Sequence, residues 1–452
     1  MVTVTISYVE AEGNSSLFTY EQFINDANGA SDASIITLGE GWTDISNGAF
    51  QDAINLTEIT IPASVQNIGV NVFTGAINLT KINVDLSNNH YVDISGVLFD
   101  FNKTNLIQYP IGSDRTSYDI SLSVTTIGPT SFQDASSILT SVNIPSSVIT
   151  IGSSAFQSAI GLQVVTLNDI SNSQLTTIGS SAFQGAISLS SIVIPDSVTT
   201  IGSSAFQNAS ELQTVTFENI SNSQLTTIEN NVFDSTSLNT ITIPDSVTNI
   251  NTQSFYNVNT LTKINISNNS RLLTISEQAF QYTSIEEIIL PNTLRTIGAN
   301  AFLDSSLNIV YMTLTTNGLL NNILDTDILF DTPSPFFGND NVTVKNINKV
   351  THIIDVNNDN YFIDISGELS KGSYENDISF NNIQYIRIGE NVTSISINTF
   401  NGANNLSLVT FPNDLTSKIN VIGSSAFQGA TSLSSILIPN SVTTIGSSAF
   451  QG

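Results

Sequence analysis

A short motif close to TIGSSAFQ recurs along the 452-residue chain at intervals of about 22 to 27 residues. Each copy carries a phenylalanine near its end, and an isoleucine stands five residues before that phenylalanine. The phenylalanines of this register are Phe50, Phe73, Phe132, Phe156, Phe183, Phe206, Phe233, Phe255, Phe280, Phe302, Phe400, Phe427 and Phe450. A unit this short cannot bury enough apolar surface to fold alone, so the units must stack against one another. We therefore expect function on the surface of the stack.

The segment between successive motifs predicts at least one strand for each unit. In one unit Leu189, Ile192 and Ile194 are separated by polar or outward positions, and Pro195 follows them. Alternating branched apolar residues favour a half-buried strand, and a proline ends pairing because it has no amide hydrogen. Strands that pair from unit to unit at about 4.8 Å predict a β-rich repeat solenoid with few short helices.

Interruptions of the register divide the chain into four parts. The parts are an N-terminal cap at 1–33, a repeat array at 34–302 with an insertion at 85–120, irregular repeats or an insertion at 303–385, and C-terminal repeats without a visible cap at 386–452. The insertion alternates apolar and polar residues around Asn102 and Lys103, which predicts a hairpin. In the cap, Thr19 and Gln22 match a helix capping box. Trp42 takes a slot that valine holds in other units, and we expect it to seal the end of the core.

Charge and composition narrow the range of partners. Lysine and arginine number 11 against 38 aspartates and glutamates, a formal net charge of −27, so nucleic acids and anionic lipid surfaces should repel the chain. Charged residues make up 11% of the sequence, so uncharged polar residues must cover the surface, which favours protein or glycan ligands. The absence of cysteine from the sequence excludes disulfides and thiolate metal sites. Neither a signal peptide nor a membrane-inserting stretch is visible in the sequence.

The pattern L-x-x-I-x-I-P-x-S-V-T-x-I-G-x-x-A-F is intact at 189–206 and 433–450, and it closely resembles the BspA-like leucine-rich repeat. Residues 96–112 are also similar to a segment that this family places between repeats. The resemblance implies a right-handed, curved leucine-rich-repeat solenoid with a parallel sheet on its concave face. It further implies an extracellular or surface protein of bacteria or protists that serves adhesion and protein binding. Large DNA viruses encode related arrays, which extends the implied location to a virion surface. Family members often carry a cysteine three residues after the phenylalanine, where this chain has alanine, as at Ala186.

The sequence contains no recognisable catalytic or cofactor-binding set. Its two histidines, His90 and His352, lie in interruptions of the repeat, and neither a G-x-S-x-G motif nor a glycine-rich phosphate loop is present. We therefore expect neither enzyme activity nor a cofactor. The best metal candidate is Asp355, Asn357 and Asp359, whose alternate spacing resembles the start of a calcium loop. The segment lacks the glycine and the terminal acid of such a loop, so a solvated acidic turn is the favoured interpretation.

Outward strand positions form the predicted binding face. They are Thr57, Glu58, Thr60, Ser190, Ser191, Gln213, Thr214, Thr216, Asn239, Thr240, Thr242, Ser434 and Ser435. Because alternate residues of a strand point to opposite faces, these polar side chains should form an array on one side of the sheet. A second row of threonines precedes the inward isoleucines, at Thr126, Thr150, Thr177, Thr200, Thr227, Thr274, Thr296 and Thr444. Regular hydroxyl rows could order water or ice, although threonine stacking within a sheet is the commoner role.

These observations lead to three hypotheses about function. The favoured one is a non-enzymatic solenoid that binds protein or glycan, as an adhesin or surface attachment protein. The alternative is a structural or assembly subunit, in which the ends of the stack dock on further copies of the chain to build a fibre or decorate a particle. A threonine array that orders water or ice is the minor hypothesis.

Overall fold

The structure is a computed structural model of the chain. It describes residues 2–7, 16–25, 30–291, 293–312, 329–330, 343–346, 351–355, 360–363, 365, 367–373, 382–412 and 416–452. The chain divides into two compact units. The first comprises Met1–Asn308 with Ile328–Val342, and the second comprises Ile309–Asp327 with Thr343–Gly452.

The first unit is a stack of layers, and each layer contributes one strand to a sheet face. We call these strands the face strands: Thr3–Ile6, Ile35–Leu38, Glu58–Ile61, Lys81–Val84, Ser117–Asp119, Ser141–Ile144, Val164–Leu167, Ser191–Ile194, Thr214–Phe217, Thr240–Ile243, Lys263–Ile266 and Glu287–Ile289. The first four pair in parallel, as do the next five and then the following two. Burial alternates along each strand: Ile192 and Ile194 are buried, whereas Ser191 and Val193 are exposed. The predicted solenoid of parallel strands is confirmed.

A second row of short strands follows the face strands. We call these the ledge strands: Leu17–Phe18, Asp44–Ile45, Asn67–Ile68, Thr126–Ile127, Thr150–Ile151, Thr177–Ile178, Thr200–Ile201, Thr227–Ile228, Asn249–Ile250, Thr274–Ile275, Thr296–Ile297 and Leu329–Phe330. Most of them pair in parallel with the ledge strand of the adjacent layer, so Thr150 lies opposite Thr126 on one side and Thr177 on the other. The Thr-Ile pair of the sequence motif thus forms a strand of its own, because backbone groups that face the next layer need partners.

The phenylalanine register forms an aromatic stack through the core. From Phe132 to Phe302, consecutive ring centroids lie 4.7–5.6 Å apart, with interplanar angles of 1–23°. These side chains are fully buried, and so are the ledge isoleucines such as Ile178 and Ile201. Adjacent layers therefore stabilise one another through apolar contacts that repeat at the spacing of paired strands.

A turn closes each regular layer around its phenylalanine. In the layer of Phe183, Ser181 and Gly185 stand two residues before and after the ring, with φ of 55° and 68°. Glycine and small polar residues adopt this left-handed conformation most readily, which explains the composition of the motif. The amides of the same three residues donate to carbonyl oxygens of the next layer at 2.7–3.0 Å. This turn therefore makes three backbone hydrogen bonds to the layer that follows it.

The N-terminal segment contains the single α-helix of the described residues, Tyr20–Ile24. Thr19 caps this helix, and both hydrogen bonds of the predicted capping box are present. Trp42 is 6% exposed, its indole Nε1 donates to Ile6 O at 3.3 Å, and its ring lies edge-on to Phe18 at 5.2 Å. The indole is therefore part of the core, in agreement with its expected structural role. Short 3-10 helices lie at Ala30–Asp32, Ile170–Asn172 and Lys371–Ser373.

The segment predicted as an insertion at 85–120 lies within the stack. Its strands are Tyr91–Ile94, Val97–Asp100 and Asn105–Gln108, which pair antiparallel in this order as a meander. The last of them also pairs in parallel with the ledge strand Thr126–Ile127. Val97, Leu98 and Phe99 are all buried. The predicted hairpin is confirmed, but three consecutive buried apolar residues place it inside one widened layer, which we call the expanded layer (residues 81–112).

The second unit uses the same elements. Its ledge strands are Gly367–Leu369, Val392–Ile395, Val421–Ile422 and Thr444–Ile445, and its other strands are Ile309–Met312, Thr343–Asn346, Thr351–Asp355, Asn360–Ile363, Ile383–Arg387 and Leu408–Thr410. The strand Thr351–Asp355 pairs antiparallel with strands on both sides, whereas the ledge strands pair in parallel. Phe400, Phe427 and Phe450 stack at 5.2 and 5.4 Å. The C-terminal motif copies thus form an aromatic stack like that of the first unit.

Candidate binding surfaces

The sheet face, formed by the outward residues of the face strands and the residue before each strand, presents polar side chains in register. Ser191 lies opposite Thr214, and Val193 lies opposite Thr216. In the next pair of strands, two threonines lie opposite a lysine and an asparagine. Because the alternate residues of these strands are buried in the core, the outward residues are held at fixed spacing. The face is therefore a pre-ordered array of hydroxyl and amide groups.

Most of the predicted binding-face residues lie on this surface. Seven are exposed: Ser190, Ser191, Gln213, Thr214, Thr216, Asn239 and Thr240. Four are half-buried: Thr57, Glu58, Thr60 and Thr242. Ser434 and Ser435 are exposed but lie outside any strand, so the strand predicted for their layer does not form. The most exposed polar part of the predicted face runs from Ser191–Ile194 to Thr240–Ile243.

The sheet face also contains residues that the sequence reasoning did not select. Lys81 and Asn83 lie on the strand beside the predicted residue Glu58: Lys81 forms an ion pair with its carboxylate at 3.4 Å, and Asn83 donates to the same carboxylate. Val164 and Val193 are 50% and 42% exposed, which adds apolar contact area to the polar array. The sequence could have identified both valines, because each occupies an outward position in the alternating pattern of its strand.

The second threonine row is in register but partly covered. Thr150 lies opposite Thr126 and Thr177, and all three are half-buried. Farther along the stack Asn249 interrupts the row. Half-buried threonines on paired strands stabilise the sheet by stacking. This row offers a ligand less surface than the sheet face does.

A cavity of about 370 Å³, which we call the notch, opens beside the expanded layer. Residues 68–73 form one wall, residues 128–130 form the other, and Leu98, Ile107 and Gln108 contribute from the meander. Tyr109 takes the ring position of this layer and stacks on Phe132 at 4.9 Å. The expanded layer has no turn residues with positive φ between Lys103 and Thr130. The notch therefore lies where a regular layer would place its turn.

Tyr91 connects the meander to the preceding ledge strand at the edge of the notch. Its hydroxyl accepts a hydrogen bond from Ile68 N at 3.0 Å and donates one to Gln66 O at 3.2 Å. Burial raises the pKa of this phenol further above neutral, so the hydroxyl that donates to Gln66 O is protonated near neutral pH. The side chain takes the place of the backbone pairing that a further ledge strand would provide.

One family model covers the residues of the regular layers and of the expanded layer. A family model described as the BspA type leucine rich repeat region (6 copies) matches residues 30–111, 111–223, 219–324 and 368–452. The chain belongs to this family. In this BspA type chain, the recurring positions of the motif supply core and turn, whereas the sheet face and the notch are formed by other positions.

Solved structures of bacterial leucine-rich repeat proteins are similar to the chain at low identity. A leucine-rich repeat protein from Eubacterium ventriosum ATCC 27560 is 22% identical, with 65% of this chain and 81% of that chain covered and a TM-score of 0.43. The pneumococcal vaccine antigen PcpA is 21% identical, with 70% and 61% covered and a TM-score of 0.39. A leucine rich cell surface protein from Faecalibacterium prausnitzii A2-165 is 21% identical, with 79% and 94% covered and a TM-score of 0.34. No curated protein matches the chain.

Among the described residues of this BspA type chain, no group of three or more histidine, cysteine, aspartate or glutamate side chains could hold a metal ion. In the calcium candidate, Asp355 ends a strand, and Asn357 and Asp359 lie outside the described residues. His90 is exposed at the notch, and His352 lies in the strand that Asp355 ends. No helix in the described part of the chain is long and apolar enough to cross a membrane.

Asp134, in the turn after Phe132, has a perturbed carboxyl group. Burial raises its pKa, the charge of Asp52 raises it further, and the backbone of Gly75 in the layer before the notch lowers it. A raised pKa means that the folded protein holds this proton more tightly than the unfolded chain does. The free energy of unfolding therefore falls as the pH rises from the carboxyl pKa of the unfolded chain through that of the folded protein. The Asp134→Asn variant should therefore be more stable than the wild type at pH 7, by about 1–2 °C in Tm because solvent screens a half-buried carboxyl. This advantage should shrink near pH 3, where the carboxyl is protonated in both states.

Thermal unfolding followed by circular dichroism at pH 3 and pH 7 checks this prediction. Asp304→Asn is the matched control, because Asp304 is exposed, stands at the same turn position after Phe302 and has a φ of 53°. Asparagine tolerates positive φ at any pH, so its effect on stability through the turn conformation is the same in both variants. An advantage of Asp134→Asn that is equal at the two pH values, or the same as that of the control, would contradict the prediction.

Proposed function

We propose that the chain is a non-enzymatic attachment protein of a cell or virion surface that binds a protein or glycan ligand through its sheet face. The observation that carries the proposal is the exposed polar array on Ser191–Ile194, Thr214–Phe217 and Thr240–Ile243, of which the first two strands are paired in register. A pre-ordered surface loses little conformational entropy on binding. Its hydroxyl and amide groups both donate and accept, as the hydroxyls of sugars and the amides of peptides require.

Two further properties support this proposal. Membership in the BspA type family supports a surface location, because the resemblance in the repeats implies surface proteins that serve adhesion and protein binding. The net charge of −27 disfavours nucleic acids and anionic lipids as partners, and leaves uncharged or basic ligands. Val164 and Val193 supply the apolar contact that a polar array needs for tight binding.

Binding of the purified chain to an array of glycans and extracellular matrix proteins tests the proposal. We expect saturable binding to at least one of them, and at least about tenfold weaker binding, or about 1.4 kcal/mol, by the double variant Thr214→Arg with Thr216→Arg. Both threonines are exposed on the sheet face, and two long cationic side chains would cover the neighbouring hydroxyls. The matched control is Thr199→Arg with Thr226→Arg, which are exposed beside ledge strands and should leave binding unchanged.

Failure to bind any component of the array, or an equal loss in both double variants, would contradict the sheet-face proposal. Light scattering at the concentrations of the assay reports self-association, the alternative predicted from the repeats. An increase of mass with concentration that neither double variant changes would favour end-to-end assembly instead.

A further inference from the structure

The wall of the notch formed by residues 68–73 carries backbone amides whose equivalents in regular layers donate to the next layer. In the preceding layer, Phe50 N donates to Val72 O at 2.9 Å, and the amides two residues to either side of Phe50 make similar bonds. The equivalent donors one layer on are the amides of Asn71, Phe73 and Gly75. Within the described residues, the amides of Asn71 and Phe73 have no acceptor, because the expanded layer that follows lacks a turn.

The opposite wall carries backbone acceptors in the complementary position. In regular layers the carbonyls three residues before and one residue after the phenylalanine accept from the previous turn. Their equivalents here are Pro129 O and Gln133 O, which accept no hydrogen bond from the described residues. Ser131 O, between them, accepts from Tyr109 N at 2.8 Å and from Gln108 Nε2 at 3.2 Å. The two walls therefore present free donors on one side and free acceptors on the other.

Two polar side chains lie close to this region. Asn105 lines the notch, and its Oδ1 atom is buried without a hydrogen-bond partner. The third donor of the first wall is Gly75, whose backbone lowers the pKa of the Asp134 carboxyl. The remaining donors are the amides of Asn71 and Phe73.

We propose that the notch binds a short peptide segment of another protein chain, which lies between the two walls in the position of the missing turn. Carbonyl groups of the peptide accept from Asn71 N and Phe73 N, and one of its amides donates to Pro129 O. Donors two residues apart on one wall match the alternate-residue pairing of a polypeptide backbone, which the irregular hydroxyls of a sugar ring do not reproduce. The site is separate from the sheet face, because no sheet-face residue lines it.

The walls also define the side chains that such a peptide can carry. Tyr109 already holds the ring position of this layer against Phe132, so the bound segment cannot insert an aromatic ring there. Val70 and Pro129 are exposed on opposite walls, and Ile107 contributes a further apolar surface. A cavity of about 370 Å³ is at the small end of ligand sites. These limits favour glycine, alanine and serine, the residues that precede the phenylalanine in the repeat itself.

Saturation-transfer difference NMR with the full chain and a blocked tetrapeptide, GSSA, the sequence of residues 179–182, tests this proposal. We expect saturable transfer to the peptide, and about three- to tenfold weaker binding when the amide of its third residue is methylated, because that amide would donate to Pro129 O. The variants Val70→Trp and Pro129→Trp each fill the notch from one wall and should abolish the transfer. Ser180→Trp, at the position equivalent to Val70 in a complete layer, should leave it unchanged.

The controls separate binding at the notch from other effects. All three variants replace exposed residues, and unchanged thermal unfolding would show that each remains folded. No transfer to the tetrapeptide, or transfer that Val70→Trp and Pro129→Trp both leave intact, would overturn the proposal. Transfer to a panel of methyl glycosides that both variants abolish, with none to the tetrapeptide, would assign the notch to a sugar instead. The double variant of the sheet face, Thr214→Arg with Thr216→Arg, should bind the tetrapeptide normally, so the two proposals can fail independently.

Discussion

The Phe183→Ala variant is expected to lose about 3–5 kcal/mol of unfolding free energy. Phe183 is fully buried, and its ring stacks on Phe156 and Phe206 at 5.0 and 5.3 Å. Truncation removes both ring contacts and leaves a cavity between two layers. Because each layer is stabilised by its neighbours, the layers beside the cavity should unfold at a lower urea concentration than those farther away.

Urea unfolding followed by far-ultraviolet circular dichroism measures this loss. Fluorescence of Trp42, the single tryptophan, reports separately on the N-terminal layers, which should unfold later than the layers around residue 183. Phe101→Ala is the matched control, because Phe101 is 51% exposed and its truncation should cost less than about 1 kcal/mol. Equal losses in the two variants would contradict the aromatic stack as the source of coupling between layers.

The Asn88→Val variant is expected to lose about 2–4 kcal/mol of unfolding free energy. This loss is expected even though regular layers have valine at the equivalent position, as at Val65. Asn88 is 2% exposed. Its Nδ2 donates to Pro62 O at 2.8 Å and to Val65 O at 3.0 Å. Its Oδ1 accepts from His90 N at 2.8 Å and from Tyr91 N at 2.9 Å. Valine would leave the Val65 carbonyl and the amides of His90 and Tyr91 without partners at the start of the meander, whereas Pro62 O keeps its bond from Val65 N at 3.4 Å.

Chemical denaturation measures the cost of this substitution against a matched control. Asn78→Val also replaces an asparagine by valine, but Asn78 is exposed and donates a single hydrogen bond, to Ile54 O at 2.8 Å. We expect that control to lose less than about 1 kcal/mol. Wild-type stability in Asn88→Val would show that the expanded layer forms without the asparagine, and would contradict its assigned role.

The regular part of the fold was predictable because its signals are local and repeated. The five-residue offset between Ile178 and Phe183 recurs in every motif copy, and both side chains are buried in the structure. Outward positions such as Thr214 and Thr216 followed from strand alternation, and they are exposed. Ser434 marks the limit of this reasoning. Its strand does not form although the local sequence nearly repeats that around Ser190, so local sequence alone does not determine this strand.

The notch could not be predicted because it depends on pairing between distant residues. The sequence indicated a hairpin at 85–120 but carried no sign that the hairpin lies inside the stack. That placement rests on long-range contacts, such as the hydrogen bonds of Tyr91 with Ile68 and Gln66. Free backbone groups at Asn71 and Phe73 are likewise invisible in a sequence, since every residue but proline carries an amide hydrogen.

The sequence by itself determined the stack, its aromatic and isoleucine core, the outward polar array and the family, because each depends on residues at fixed short spacing whose side chains must be buried or exposed. The tertiary structure alone decided that residues 81–112 form the expanded layer, that this layer lacks a turn, and that a notch with free donors and acceptors opens beside it. The physical reason is that a layer's hydrogen bonds are completed by the next layer. An irregular repeat therefore leaves unpaired backbone groups on the adjacent layers, although the sequences of those layers are regular.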